Sequence, residues 1–282
     1  MNLKLLGIGL ATAAALAQSQ TEPSARPAFE VASIKPARPD EKGGGYRFEP
    51  GGRMVVSHFS LGELMLVGWH ILPFRIVAGP AWLYSEPYDI EAKAAGNPDN
   101  SQSRIMLQSL LTERFHLIVH RETRELLMYV LVVAKKSARP GAGLMLAKEG
   151  DCTPPSQDFP QPPLEAGKPA YCNVKQQLRR QDNGTSSMQL RGYGVSLSIL
   201  ARSLASTVYQ QVEDDTGIVG NYDISMDYAP YNDKDDLLAS KPDTGVPSLF
   251  TALQEQPGLR LVGRKGPVEV VVIDRAERPS GN

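Results

Sequence analysis

The tripeptide Tyr-Asp-Ile occurs twice, in EPYDIEAKA at residues 86–94 and in GNYDISMDY at residues 220–228. Successive side chains of a strand point to opposite faces, so Tyr88 and Ile90 are expected on one face and Asp89 on the other. The second copy has the same alternation. The repeated phrase therefore predicts equivalent strands in two halves of a duplicated chain.

A predicted amphipathic helix precedes each copy of the tripeptide. Ser60 and Ser196 stand before apolar residues that have the i, i+3, i+4, i+7 spacing of one helix face. Ser60-x-x-Glu63 also has the pattern of a capping box. The two faces comprise Leu61, Leu64, Met65 and Gly68 in the first half, and Leu197, Leu200, Ala201 and Leu204 in the second.

The agreement continues after the tripeptide. A second short amphipathic helix runs into an alternating strand in each half, and each half closes on a β-rich run, at residues 128–133 and 268–273. The unit reads strand, helix, strand, strand, helix, strand, strand. We therefore predict an α+β fold with two tandem copies of this unit and mixed or antiparallel sheets, in preference to a doubly wound parallel sheet. The second helices have matching apolar residues, Leu107, Leu110 and Leu111 in one half and Leu249, Ala252 and Leu253 in the other.

The first 17 residues, MNLKLLGIGLATAAALA, have the layout of a secretory signal peptide. Lys4 precedes an apolar run, and Ala15-Leu16-Ala17 matches a cleavage signal. The apolar run is about a dozen residues, shorter than the roughly 20 that cross a bilayer, so a retained membrane anchor is the less favoured alternative. We expect an extracytoplasmic protein, periplasmic or secreted, without a transmembrane helix after cleavage.

The amino-acid composition bears on which classes of partner the protein can bind. The 30 Lys and Arg residues nearly balance the 31 Asp and Glu residues, so no basic stripe indicates nucleic-acid binding. With 41% hydrophobic residues in 282 positions, the chain can bury one large core or two smaller ones.

Residues 137–185 form a Pro- and Gly-rich insert that holds both cysteines. Six prolines between Cys152 and Cys172 argue against a helix or a central strand there. In an oxidising compartment the two cysteines predict a disulfide, which would contribute roughly 3 kcal/mol by closing a loop of about 20 residues. A catalytic thiol or a metal pair is the alternative, although neither cysteine has a nearby His or a Cys-x-x-Cys partner.

These patterns divide the chain into consecutive segments. The boundaries follow the start of the first predicted strand, the Pro-rich insert and the end of the last strand. The segments are the signal peptide at 1–17, a flexible N-terminal segment at 18–28, the first α+β repeat at 29–136, the insert at 137–185, the second repeat at 186–276 and a tail at 277–282.

Five stretches of the chain carry a family resemblance: FEVASIKP at 29–36, GPAWLYSEPYDIEAKA at 79–94, LLTERFHLIVHRETRELLMYVLVVAK at 110–135, DDTGIVGNYDI at 214–224 and SLFTALQEQPGLRLVGRKGPVEVVVIDRAERPS at 248–280. Together they resemble an uncharacterised secreted family that is expanded in acidobacteria. The resemblance spans Phe29 to Ser280 and implies a domain of unknown function, in some relatives fused to an antibiotic-sensor-type membrane metallopeptidase. That peptidase activity is not implied for this chain, which lacks His-Glu-x-x-His. The order of helix and strand is also similar to small domains at the front of secretins and TonB-dependent receptors.

The chemical motifs favour turns and surface positions over catalysis. Asp-Thr-Gly of aspartic proteases occurs at 215–217 and 243–245, but both copies lie in one half and neither follows an apolar strand, so we interpret them as turns. His116 and His120 are four apart on a predicted strand, about 13 Å, too far for one metal. Residues 232–236 lack the glycine of a calcium loop. We predict no catalytic residue, metal ligand or cofactor.

Aromatic residues concentrate between the first helix and the first Tyr-Asp-Ile. Trp and Tyr are enriched at binding surfaces, so a platform for a sugar, a peptide or a partner protein is one interpretation. The alternative is that these rings fill the core of the first half. The predicted ligand-binding residues are Trp69, His70, Trp82, Tyr84 and Tyr88.

The sequence establishes no activity. We predict a non-catalytic extracytoplasmic binding or sensing module for an envelope protein, a peptide or a glycan. A structural or assembly component of the cell envelope is the first alternative, because of the secretin-like order of elements. An unrecognised hydrolase is the second, because catalytic triads assemble from residues distant in sequence.

Overall fold

A computed structural model of the protein describes residues 26–38, 43–134, 141–155, 163–180, 184–230 and 245–279. The predicted signal peptide, the calcium-loop-like segment at 232–236, and Asp243 and Thr244 of the second Asp-Thr-Gly therefore lie outside the described residues. In chain order the elements are β1 (Val31–Pro36), β2 (Gly45–Glu49), β3 (Arg53–Ser60), α1 (Leu61–Trp69), a 3₁₀ turn (Pro73–Arg75), β4 (Ile76–Val77), β5 (Pro87–Lys93), α2 (Asn100–Arg114), β6 (Ile118–Val133), β7 (Leu144–Leu146), β8 (Asn173–Arg180), β9 (Ser186–Val195), α3 (Leu197–Val208), β10 (Val212–Asp214), β11 (Tyr222–Tyr228), α4 (Leu249–Glu255) and β12 (Leu259–Arg275).

The fold is α+β, as predicted, and its strands form three four-stranded sheets. The first sheet has the order β1-β5-β3-β2 and the second the order β7-β11-β9-β8, both antiparallel throughout. The two orders correspond strand for strand. This correspondence supports the duplication hypothesis, which remains a prediction about the origin of the chain.

The third sheet joins the two halves. Its centre is the antiparallel pair of β6 and β12, which runs from the pairing of Val133 with Leu259 to that of Ile118 with Arg275. On its edges, β4 pairs in parallel with β12, and β10 pairs in parallel with β6. Each half therefore adds a short strand to the long strand of the other half.

The long strands differ from the sequence prediction, which divided each of these regions into two strands. Polar residues near Arg121 and Arg264 look like turns in the sequence, yet the structure continues straight through them. Each strand finds partners for its backbone groups in the other along nearly the whole length, so no turn is needed to satisfy them.

The segment treated as an insert contains two edge strands of the second sheet, β7 and β8. Strand β8 has mostly exposed side chains, which explains why its sequence, NVKQQLRR, lacks the alternation of a half-buried strand. Between the cysteines, the described residues contain only an isolated bridge, from Thr153 to Tyr171. Cys152 and Cys172 form the predicted disulfide.

Each half has its own apolar core, and the long strands contribute to both. Val271 and Ile273 of β12 are buried in the core of the first half. Tyr129 and Leu131 of β6 are buried in the core of the second. The two cores are therefore tied together by the third sheet.

The repeated Tyr-Asp-Ile has a specific structural role in both halves. Oδ1 of Asp89 accepts the backbone N–H of His58 at 2.8 Å, and Oδ1 of Asp223 accepts that of Gly194 at 2.9 Å. His58 and Gly194 both have positive φ, 54° and 57°, and each lies two residues before the serine that caps the following helix. The aspartate thus holds the bend at which a strand becomes a helix.

Candidate functional site

The structure separates the predicted ligand-binding residues into different environments. Tyr88 is 4% exposed and packs edge-on against Phe115, with ring centroids 5.1 Å apart. Trp69 is half-buried against the same core. These two rings therefore contribute to the core of the first half.

Trp82 contacts a side chain from the end of the chain. The guanidinium of Arg278 lies 5.3 Å from the centroid of the Trp82 ring and donates two hydrogen bonds to Glu86, at 2.6 and 2.7 Å. These bonds lower the pKa of Glu86. Tyr84 lies over Gly62, where an added Cβ would come within 2.2 Å of the ring. Trp82 is therefore half-buried beside Arg278, whereas Tyr84 remains 53% exposed.

His70 lies in a different place, at the end of α1, in a left-handed conformation with φ 52°. Its side chain lines a cleft of about 510 Å³. The loop after α1 and the 3₁₀ turn form one wall, and α3 and β10 form the other. The lining residues are His70, Ile71, Leu72, Arg75, Ser198, Ala201, Arg202, Ala205, Gln211, Val212, Glu213 and Asp214.

The two walls of this cleft are fixed to each other. Nη2 of Arg75 donates to Oε1 of Gln211 at 2.8 Å, and this bond is partly buried. The loop before it spans both cores, since Ile71 packs on the first core and Leu72 on the second. The cleft therefore lies at the junction between the halves.

Small side chains on α3 leave the space open. Ala201 and Ala205 lie one turn apart on the helix and line the cleft, next to Leu72 and Val212. Both alanines are themselves nearly buried, at 2% and 3% exposed, and belong to the same core cluster as Leu200 and Leu204, so this core forms the base of the cleft. The floor of the cleft is apolar as a result.

Some charged side chains at the rim of the cleft have hydrogen-bond partners and others do not. Glu213 accepts a hydrogen bond from Arg264 at 2.9 Å, and Oδ1 of Asp214 accepts the N–H and the hydroxyl of Thr216 at 3.1 and 2.7 Å. By contrast, neither the imidazole of His70 nor the guanidinium of Arg202 forms a hydrogen bond or an ion pair with any other described residue. The side-chain donors without a partner at this rim are therefore the guanidinium of Arg202, which is cationic, and the imidazole of His70, which becomes cationic when it is protonated.

The protonation of His70 reflects this environment. Burial lowers the pKa of His70, and the positive charges of Arg104 on α2 and Arg202 on α3 lower it further. The imidazole is therefore neutral near pH 7 when the cleft is empty.

The other histidines singled out in the sequence pair with acids at the surface. His116 lies 3.4 Å from Glu277, and His120 lies 2.9 Å from Asp274. Among the residues that the structure describes, no group of three or more His, Cys, Asp or Glu could hold a metal ion. In the same residues, no helix is long and apolar enough to span a membrane.

Of the residues predicted from sequence, only His70 lines the cleft. Arg75, Arg202 and Gln211 were missed because their positions in the sequence carry no local motif. The one available signal was the correspondence between the halves, which places the loop after α1 and the loop after α3 at equivalent positions.

Comparison with protein families identifies the family to which the chain belongs. Residues 62–276 match the family described as protein of unknown function (DUF3738). The chain belongs to this family. The DUF3738 region extends from α1 to the end of β12 and so includes both walls of the cleft. No curated protein and no solved structure matched the chain.

Proposed function

We propose that this DUF3738 protein is a non-catalytic, extracytoplasmic binding or sensing module whose ligand occupies the cleft beside His70. The cleft itself carries the proposal. Its volume of about 510 Å³ falls within the usual range of small-molecule sites, about 300–1,000 Å³. Like those sites, it combines an apolar floor with a few polar groups and a fixed geometry.

The hydrogen bonds in the cleft support binding over catalysis. An activated nucleophile needs a base within hydrogen-bond reach. The hydroxyl of Ser198 instead contacts that of Ser196 at 2.8 Å, and the carboxylate of Asp214 is bound to Thr216. His70 has neither a nucleophile nor an orienting acid as a hydrogen-bond partner among the described residues.

Two observations support a location outside the cytoplasm. Residues 1–17 have the layout of a signal peptide, and Cys152 and Cys172 form a disulfide. Disulfides persist mainly in oxidising compartments. A sensing module in the envelope fits both.

The proposal is tested by blocking the cleft. Small molecules that raise the melting temperature of the mature protein would be mapped by hydrogen exchange. We expect protection in the loop at 70–75 and in α3. Ser198→Phe places a ring at the exposed rim of the cleft and should abolish binding.

The matched control is Ser206→Phe, the same change at another exposed position of α3 that does not line the cleft. It should leave binding intact. Equal binding by both variants, or protection centred on Trp82 and Tyr84, would move the site away from the cleft. Protection over a broad surface by an envelope protein would favour the assembly role instead.

A further inference from the structure

We infer that the ligand of this cleft is a small amphipathic anion, with a carboxylate or phosphate head on an apolar body. This inference rests on the proposed binding function and assigns the chemistry of its ligand. It follows from the charged side chains around the cleft and from the apolar residues that line its base.

The cationic groups come from both walls. Arg75 follows α1 on one side, Arg202 projects from α3 on the other, and His70 lies at the end of α1. Arg75 uses Nη2 for Gln211, while the guanidinium of Arg202 has no hydrogen-bond or ion-pair partner among the described residues. Arginine binds carboxylate and phosphate oxygens through paired N–H donors, so opposed arginines are suited to an anionic head.

The acidic groups of the cleft do not cancel this preference. Glu213 and Asp214 both belong to β10 and line the same space. The carboxylate of Glu213 is paired with Arg264, and that of Asp214 is bound to the N–H and hydroxyl of Thr216. A cationic ligand would have to displace Arg264 from Glu213, whereas an anion finds the guanidinium of Arg202 free.

The floor requires an apolar body. Leu72, Ala201, Ala205 and Val212 line the cleft, and a ligand that covers the apolar surface they leave exposed gains about 25 cal/mol for each Å² removed from water. A bare inorganic anion would leave this surface wet. A head group with an apolar chain satisfies both parts of the site.

Proton uptake should accompany binding. His70 is neutral near pH 7 in the empty cleft because burial, Arg104 and Arg202 all lower its pKa. A bound anion beside the imidazole favours the charged form and raises that pKa. The other charged groups that line the cleft are Arg75, Glu213 and Asp214. Affinity for the anion should therefore rise as the pH falls below 7.

The test uses isothermal titration of the mature, disulfide-intact protein with decanoate, decyl phosphate, inorganic phosphate and decylamine. We expect both decyl anions to bind, decylamine not to bind, and inorganic phosphate to bind far more weakly. Tighter binding of decanoate would indicate a carboxylate ligand, and tighter binding of decyl phosphate would indicate a phosphate ligand. Arg202→Gln should weaken anion binding by about tenfold or more, because a charge-assisted hydrogen bond is lost.

The control is Arg260→Gln, which removes an exposed arginine of β12 outside the cleft and should leave the affinity unchanged. His70→Gln should remove the rise in affinity at low pH without removing binding near pH 8. Retained binding near pH 8 would assign His70 a role in proton uptake, because a structural role would weaken binding at every pH.

The possible results also separate a failure of this inference about the ligand from a failure of the proposed binding function. If decylamine binds and Ser198→Phe abolishes that binding while Arg202→Gln does not, the cleft is a ligand site but the anionic class is wrong. If the decyl anions bind equally well to wild type, Arg202→Gln and Ser198→Phe, both the class and the site are overturned. If no probe binds, the amphipathic-anion class is rejected, while the wider screen still tests the cleft.

Discussion

Asp89 and Asp223 show what a repeated residue does at atomic scale. Each accepts a backbone N–H from a residue in the left-handed region, just before a helix cap. A carboxylate acceptor at this point satisfies a donor that the bulged strand pairing leaves free. The tripeptide is thus a local device for joining strand to helix.

We predict that Asp89→Ala and Asp223→Ala each lower the free energy of unfolding by about 1–3 kcal/mol, because each leaves a backbone donor without its charged acceptor. Urea denaturation measures the change. Asn at either position keeps the acceptor oxygen and should have a smaller effect. Similar losses for Ala and Asn would show that the hydrogen bond is unimportant.

Gly194 combines a positive φ with a close neighbour. An added Cβ would lie 2.2 Å from Sγ of Cys152, so the disulfide covers this bend in the second half. We predict that Gly194→Ala destabilises the protein by more than Gly217→Ala. Gly217 has φ +68° with open space around it, so alanine there adds only backbone strain, about 1 kcal/mol. Thermal unfolding compares the two, and equal losses would argue against contact with the disulfide.

His120 provides a pH-dependent contact at the surface. The hydrogen bond that the ring of His120 donates to Asp274 is the main cause that raises the pKa of His120, with further contributions from Glu122. Because the folded pKa is raised, the stabilisation is present below the unfolded pKa of about 6.5 and is lost as the pH rises through the folded pKa. NMR titration of the ring should show this raised pKa, and Asp274→Asn should bring it down. An unchanged midpoint in that variant would contradict the assignment.

At the scale of elements, the first helix of each half begins in a similar but unequal way. In α1 the capping box predicted from sequence is complete, since Glu63 accepts from both the backbone N–H and the hydroxyl of Ser60. In α3, Ser196 caps the helix without such a reciprocal bond.

We therefore predict that Ser60→Ala costs about 1–2 kcal/mol, which is more than Ser196→Ala. The first substitution also removes a partner of the Glu63 carboxylate. Chemical denaturation of both variants gives the comparison. The reverse order of stability would mean that the reciprocal bond contributes little.

The long strands show why elements with local signals were easier to predict than those without. Helices α1 and α3 carry a serine cap and an apolar face in their own sequence. The middle of β6 and β12 is polar and exposed, and only the pairing of the two strands keeps it extended. Edge strand β8 likewise depends on its pairing with β9.

At the scale of the whole molecule, the halves exchange strands. Strand β10 pairs with β6, β4 pairs with β12, and each long strand buries residues in the core of the other half. Neither half contains all the strands that complete its own core.

We predict that residues 26–134 alone do not fold as a cooperative monomer. Without the second half, β6 loses its partner β12, and the first core loses Val271 and Ile273. Circular dichroism and analytical ultracentrifugation of this fragment, beside the full mature chain, measure the effect. A monomeric fragment with a sharp unfolding transition would show that the halves are independent.

The sequence by itself determined the α+β class, the serine-capped helices, the face of each Tyr-Asp-Ile and the cysteine pair. These depend on periodicity, caps and composition, which act over a few residues or a short loop. The tertiary structure alone decided the continuous β6–β12 ladder, the exchange of strands and the cleft that joins His70 to Arg202. Their physical basis is pairing and packing between segments far apart in the chain, which no local pattern encodes.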